Sequence, residues 1–424
     1  MEAEASLTGL KKTDVNNLTI GMYVAQLDRD WTDTDYPVQG FYIRSRQGID
    51  RLARECNYVF VDPRRYDSSL TDVKLHVVAK PHETQEPVTR HANVARIQPR
   101  RPRVYKDTVE LGNELEPART SLEDAVQIMR SCVSKLQATG GFDIDEIERA
   151  ISPLVESVMR NKSAMAALLR MRALDDYTFS HAISNAVWGA ILARQLGFPP
   201  PEIDAIALAC SLLDIGKVSL PPDLLVQPEP PTPEQWEILR GHVAEGVRLL
   251  EENDVKNNKV LLAVQSHHER FDGSGYPAGL AGNEIPLWGR IGAVVDSYDA
   301  MISERPYAEA RSSYGAVQEL QKQSDVLYQR EIVDQFIQAI GVFPVGAIVE
   351  LNTGEVGVVV AQHNTRRLKP KIILLLDVEK NPRSNLVIVD LSTQDTEENA
   401  TLSWWITREL PKNAYGIDPA KYFL

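Results

Sequence analysis

The sequence predicts a mainly α protein: an all-helical bundle, preceded by a small mixed α/β domain and followed by a small β appendage. Three patterns along the 424 residues carry that prediction. From about Val15 to Asp62, short apolar runs alternate with turn residues, as in strands. After Tyr105, apolar residues recur at the three-and-four spacing of one helix face, and helices dominate to about residue 340. From Phe343 onward, β-branched runs are divided by Gly, Asn or Pro.

In the first segment, MYVAQL, WTDTDYPVQGFYI and NYVFVD supply the mostly strand character, and IDRLARE is a helical patch, giving a small domain over 1–78. Residues 79–104 hold Pro81, Pro87, Pro99 and Pro102 with scattered charges and the basic cluster RIQPRRPR. This stretch reads as a solvated linker, with an anion site as the alternative. Leu122, Val126, Met129, Val133 and Leu136 then mark one helix face, ATGGFD breaks that helix, and DIDEIERAISPLVESVMRNKSAMAALLRMRAL resumes the pattern. The helical domain spans 105–342. FPVGAIVEL, GEVGVVVAQ, KIILLLDV and NLVIVDL make the β-rich extension over 343–424.

Composition narrows the function classes. With 43% hydrophobic and 25% charged residues, the chain has the balance of a folded globular protein. A net charge of -13 argues against DNA or RNA as partner, because a nucleic-acid surface demands a basic footprint. Cys56, Cys132 and Cys210 are far apart without paired spacing, so neither a zinc ribbon nor a disulfide framework is indicated, and a reducing, cytoplasmic setting fits best. The first residues lack a signal-peptide pattern, and no apolar run reaches the ~18 residues of a membrane span, so no membrane association is expected.

The chemistry concentrates in the helical part. Four of the eight histidines, His181, His242, His267 and His268, fall there with Asp214 and Asp296. Adjacent histidines followed by ERFDGSGYP are hard to explain as packing. Metal-assisted phosphoester hydrolysis uses such imidazole and carboxylate ligands, with a carboxylate shared between two divalent cations. Asp214, in LLDIGK, is placed to be that bridge, and Lys217 lies about one helical turn beyond it, either to reach a phosphate oxygen or as a helix-end surface lysine. Thr232-Pro233-Glu234-Gln235 spells a capped helix start, which puts His242 near the middle of that helix. The loop FDGSGYP can bring backbone close to a ligand, and Phe271 and Tyr276 offer flat faces to a base or serve loop packing. Asp296 follows RIGAVV as an inward-facing ligand, Asp299 caps or pairs with a neighbour, and Arg305 is a candidate phosphate clamp.

Taken together, YTFSH at 177–181, DIGK from 214, HVAEG from 242, HHERFDGSGYP from 267 and RIGAVVDSYDAMISERPY from 290 resemble the HD-GYP family over roughly residues 160–340. The resemblance implies an all-helical HD-type fold, divalent metals such as iron or manganese, and hydrolysis of cyclic di-GMP to pGpG or GMP. It further implies that His181, Asp214 and Asp296 form one metal site and Asp214, His242, His267 and His268 the other. Asp214 and Lys217 would be catalytic, with Lys217, Gly275, Tyr276, Pro277 and Arg305 facing the nucleotide. The N-terminal domain and the β tail resemble accessory modules of such proteins, and GGDEF-domain proteins are implied partners.

Three positions depart from the family. Leu213 stands where the family has the His of its His-Asp pair, and leucine has no lone pair, so the first site loses a nitrogen ligand. Tyr177 replaces the glutamate associated with a third metal, and Ala308 a basic residue. The expectation is one or two cations per chain and weak hydrolysis, or else a non-catalytic receptor or adaptor. A homodimer through the long helices before residue 170 is a further expectation.

Overall fold

The alternating apolar residues of the N-terminal segment do form a sheet. The computed structural model describes residues 10–28, 41–43, 45–66, 103–171, 177–304, 310–363, 368–394, 404–412 and 414–423. The chain divides into two units, 1–102 and 103–424. Residues 79–102, Arg305 and Ala308 lie outside the described residues. In the first unit, strands β1 (Lys11–Asp14), β2 (Met22–Leu27) and β3 (Phe41–Tyr42), helix α1 (Arg46–Glu55) and strand β4 (Tyr58–Tyr66) make a sheet of order β1-β4-β2-β3 with one helix. Val59 and Val61 of β4 are buried two residues apart, Val24 and Leu27 of β2 three apart across a register shift, and α1 buries Ile49 and Leu52 at period three. Ser45 caps α1 by accepting from the Gly48 N–H.

The second unit begins with α2 (Leu111–Thr139), α3 (Ile144–Arg160) and α4 (Lys162–Met171). Gly140 ends α2 at φ 74°, a conformation glycine adopts without strain, and the Asp143 side chain caps α3. The buried seam of α2 runs through Leu122, Ala125, Met129, Cys132 and Leu136, while Val126 and Val133 flank it half-buried. Three of the five expected residues, Leu122, Met129 and Leu136, lie on that seam, and Ala125 and Cys132 take the places of Val126 and Val133.

Helices α5 (Tyr177–Leu196) and α6 (Pro200–Ser211) form the middle of the bundle, and both bury residues nearly all round. The short helices α7 (Pro222–Val226), α8 (Pro233–Arg240), α9 (His242–Glu252) and α10 (Asn258–Ser266) lead to α11 (Leu287–Ile302), α12 (Ser313–Lys322) and α13 (Arg330–Ile340). Helix α5 packs against α6, α11 and α13, and α10 packs against α6 and α11. Among the described residues, no helix is long and apolar enough to cross a membrane.

Strands β5 (Ile348–Leu351), β6 (Val356–Ala361), β7 (Lys371–Leu376), β8 (Pro382–Asp390) and β9 (Ile406–Glu409) form an antiparallel sheet of order β8-β7-β6-β5-β9. Val349, Val359, Ile372 and Leu374 cluster on one face and Ile348, Val358, Ile373 and Leu375 on the other. The sheet is fastened to the helices by a buried ion pair between Arg170 of α4 and Glu409 of β9. The second Glu409 oxygen accepts the Tyr314 N–H of α12 at 2.8 Å. Tyr314 in turn stacks on Phe343, with ring centroids 5.3 Å apart.

Candidate metal centre

Five segments carry the candidate ligands to one place. His181 stands on α5, Asp214 just beyond α6, His242 at the start of α9, His267 at the C-terminal cap of α10 with His268 next to it, and Asp296 on α11. Asp214 leads into a tight turn, Ile215–Ser219, that lies directly on α9. Gly216 makes this possible: a Cβ there would sit 1.9 Å from the His242 carbonyl oxygen. The capping box at Thr232 and Gln235 is present, but α8 ends at Arg240 and His242 begins the next helix instead of standing mid-helix. The imidazole is part of the cause. His242 Nδ1 takes the Leu239 carbonyl at 2.6 Å, and the Gly241 N–H shares that oxygen, so the regular ladder is interrupted.

The ligand atoms fall into two groups, each with its atoms within 4.8 Å of one another: Asp214, His242, His267 and His268, and His181, Asp214 and Asp296. Asp214 belongs to both through different oxygens. Its Oδ1 faces His242 Nε2 at 3.4 Å and His267 Nε2 at 3.9 Å, and its Oδ2 faces His181 Nε2 at 3.6 Å and Lys217 Nζ at 2.5 Å. Carbonyl oxygens only accept, so His242 and His267, whose Nδ1 atoms meet the Leu239 and Val264 carbonyls, both carry their proton on Nδ1. Their Nε2 lone pairs therefore converge, 3.4 Å apart, beside an Asp214 Oδ1 that is buried without a hydrogen-bond partner. Two lone pairs and an anionic oxygen with no proton between them suit a cation, so these residues fit a divalent metal.

The second group is held by α5 and α11. His181 Nε2 lies 2.9 Å from Asp296 Oδ1, and Nδ1 lies 2.7 Å from Asp299 Oδ2. The Trp188 Nε1–H donates to Asp299 Oδ1 at 2.9 Å. Leu213 is fully buried, and the Cβ that Gly292 lacks would sit 3.2 Å from its Cδ2 and 3.3 Å from His267 Cβ. It fills volume between α11 and His267.

Electrostatics separates the two groups. Burial alone would lower the His181 pKa, but hydrogen bonds with Asp296 and Asp299 outweigh it and raise the value to about 10. Burial, helped by the neighbouring His242, lowers His267 to about 4, and burial with His267 beside it lowers His268 well below the usual range. Burial works against ionising Asp214 and Asp296, yet Lys217 for the first and His181 for the second hold them below the usual carboxylate range.

The loop after His268 is organised from beneath. The Glu269 carboxylate is buried and accepts the Ala278 and Leu280 N–H groups at 2.7 and 2.9 Å. Gly275 packs so closely on this loop that a Cβ would be 2.3 Å from Arg270 N, so its close approach is to the loop's own backbone. The Tyr276 ring stacks on His268 at 4.7 Å, and the Arg240 guanidinium lies over Tyr276 at 5.2 Å. The phenol is therefore flanked by both groups, and burial raises its pKa. Tyr276 is joined to Pro277 by a cis peptide bond. Phe271 holds the loop ends through its backbone, donating to Leu327 O at 3.0 Å and accepting from the Gly282 N–H at 2.9 Å.

All six candidate metal ligands thus come together, with Lys217 paired to Asp214 and the Tyr276 loop alongside. Sequence reasoning missed the roles of Trp188, Glu269 and Arg240 and left that of Asp299 open. The spacing held the signal for two of them. Asp299 is three residues after Asp296 and Trp188 seven after His181, so each pair shares a helix face.

Three family models match the chain, one of them across the division at residue 102. A family model described as HD domain matches residues 154–332, a domain of unknown function (DUF3391) matches 10–147, and a KOW domain associated with HD domain matches 348–397. The chain is 28% identical over 394 residues to a cyclic di-GMP phosphodiesterase of Pseudomonas aeruginosa, covering 90% of this chain and 89% of that one. It is 39% identical over 152 residues to a cyclic di-GMP phosphodiesterase of Thermotoga maritima, covering 35% and 40%. It is 32% identical over 162 residues to 3'3'-cGAMP-specific phosphodiesterase 2 of Vibrio cholerae serotype O1, covering 38% and 31%. The chain therefore spans less than half the length of the last two relatives. The segment that matches the HD domain family model, 154–332, is thus the one that holds the paired histidines and the Tyr276 loop.

Proposed function

We propose that this chain is a metal-dependent phosphodiesterase of the HD-GYP type that opens cyclic di-GMP to pGpG or GMP, with turnover reduced by the leucine at position 213. The carrying observation is Asp214, whose two oxygens face separate ligand groups, as a bridging carboxylate must. Divalent cations, iron or manganese and one or two per chain, would supply Lewis-acid polarisation of the phosphodiester and a nucleophile at neutral pH. His242, His267, His268 and Asp214 hold the complete half of the site, and His181, Asp296 and the second Asp214 oxygen hold the half that lacks a nitrogen.

The surrounding residues orient the substrate. Lys217 exchanges Asp214 for a phosphate oxygen, Arg305 adds a second cation, and Gly275, Tyr276 and Pro277 form the wall facing the nucleotide. A base stacking on Tyr276 must displace Arg240 from its outer face. Residues 105–342 are the working domain, with 1–78 and 343–424 as accessory modules on either side of it, in a cytoplasmic protein.

A second reading is a non-catalytic receptor for the dinucleotide, or an adaptor for GGDEF-domain proteins, working as a monomer or homodimer. It is favoured by Leu213, which is fully buried among apolar contacts as a settled core residue. One experiment separates the two: metal content per chain and cyclic di-GMP turnover with added iron or manganese, for the native chain, Leu213→His and His267→Ala. Native turnover that disappears in His267→Ala establishes the enzyme. Turnover found only in Leu213→His refutes it and leaves the receptor.

A further inference from the structure

We propose that Asp299 is a positioning residue of the candidate metal centre: it holds His181 so that Nε2 is the ligand atom, and thereby sustains a cation in the half of the site that Leu213 leaves one nitrogen short. The inference rests on the metal-dependent reading above, and the geometry that carries it is a zipper between two helices. On α5, His181 and Trp188 are seven residues apart; on α11, Asp296 and Asp299 are three apart. Four groups interlock in the order Trp188, Asp299, His181, Asp296, through contacts of 2.9, 2.7 and 2.9 Å.

Asp299 is buried to 2% exposure, so neither of its oxygens has bulk water as an alternative partner. The Trp188 indole has only a donor and can only hold Oδ1. That leaves Oδ2 for the His181 Nδ1–H, with the Ser303 hydroxyl at 3.4 Å as a weaker second donor to the same oxygen. With Nδ1 committed, Nε2 points at Asp296 and Asp214, the two other members of its group. A carboxylate behind a ligating imidazole fixes the ring and makes its other nitrogen a better donor. This matters more in a half with three protein ligands than in one with four. His242 and His267, in the fuller half, are backed by backbone carbonyls only.

The test is a calorimetric titration of the chelator-stripped full chain with Mn2+, the two binding events being assigned with His181→Ala and His267→Ala. Asp299→Asn keeps the volume but cannot accept from both Trp188 and His181 without turning its NH2 group on one of them. The expected result is a loss of about 10- to 100-fold in affinity at the His181 event, with the His267 event within about twofold of the native chain. Trp188→Phe, which removes the donor holding Asp299, shifts the same event in the same direction by less, and serves if Asp299→Asn does not fold. A merely structural role would instead lower the melting temperature and weaken both events together, or neither, and either result overturns the proposal. So does a native chain that binds a single Mn2+. Selective weakening in a chain without cyclic di-GMP turnover upholds the role of Asp299 while rejecting the phosphodiesterase.

Discussion

Glu269→Gln perturbs the buried side chain that ties Ala278 and Leu280 into the Tyr276 loop. The native carboxylate spans eleven residues of sequence by accepting the Ala278 and Leu280 N–H groups, one on each oxygen. Glutamine keeps one acceptor and turns a donor toward the other amide, which is left buried without a partner. Hydrogen bonds to a charged group contribute about 1.5–3 kcal/mol each, so the loop loses about that much against opening. Because 1.4 kcal/mol is a factor of ten, exchange of the affected amide accelerates by about 10- to 150-fold. The assay is native-state hydrogen exchange read at Ala278 and Leu280, with amides inside α5 as controls. The loop opens locally, so the controls should not move. Unchanged protection at both amides would mean that Glu269 is not what holds Tyr276 against His268.

Two further outcomes follow from geometry and charge. Gly216→Ala places a Cβ 1.9 Å from the His242 carbonyl oxygen, so the turn carrying Asp214 must shift off α9; thermal denaturation should show a loss of about 1–3 kcal/mol or more, and Mn2+ uptake should fall with it. Burial, with Glu146 nearby, pushes the Cys132 thiol from 9.0 up to about 11, so the folded chain keeps its proton when the unfolded chain has lost it. Its contribution to stability is therefore complete below pH 9 and is lost as the pH rises from there toward about 11, which urea unfolding of the native chain and Cys132→Ala across that range would reveal.

The sequence made the ligands legible because each is a polar side chain set in an apolar helical run that could bury it only for a reason. The segment lengths were legible for the same cause: periodicity reports which face is inside. What escaped was the tertiary part. The pause between α8 and α9 depends on where the His242 imidazole finds its carbonyl, and no propensity encodes that. On α2, Leu122, Met129 and Leu136 were legible, while Ala125 and Cys132 are buried where the larger Val126 and Val133 beside them carried the hydrophobic signal. Strands β1 and β9, four residues each, are too short to show a pattern and are defined by their partners β4 and β5. Glu269 reads as part of a polar loop until the two amides it receives are seen.

The ion pair between Arg170 and Glu409 sets an order on the life of the chain. Its members are 239 residues apart, and Arg170 is a buried side chain of the helical bundle. During synthesis the bundle, with all its candidate ligands, leaves the ribosome well before the glutamate exists. Until then α4 must leave its guanidinium in water or bury it uncompensated, at a cost of several kcal/mol. A chain truncated before residue 409 would keep every candidate ligand and lack the carboxylate that meets Arg170. Such fragments should be substrates for proteolysis at α4, a quality check written into the distance between two residues.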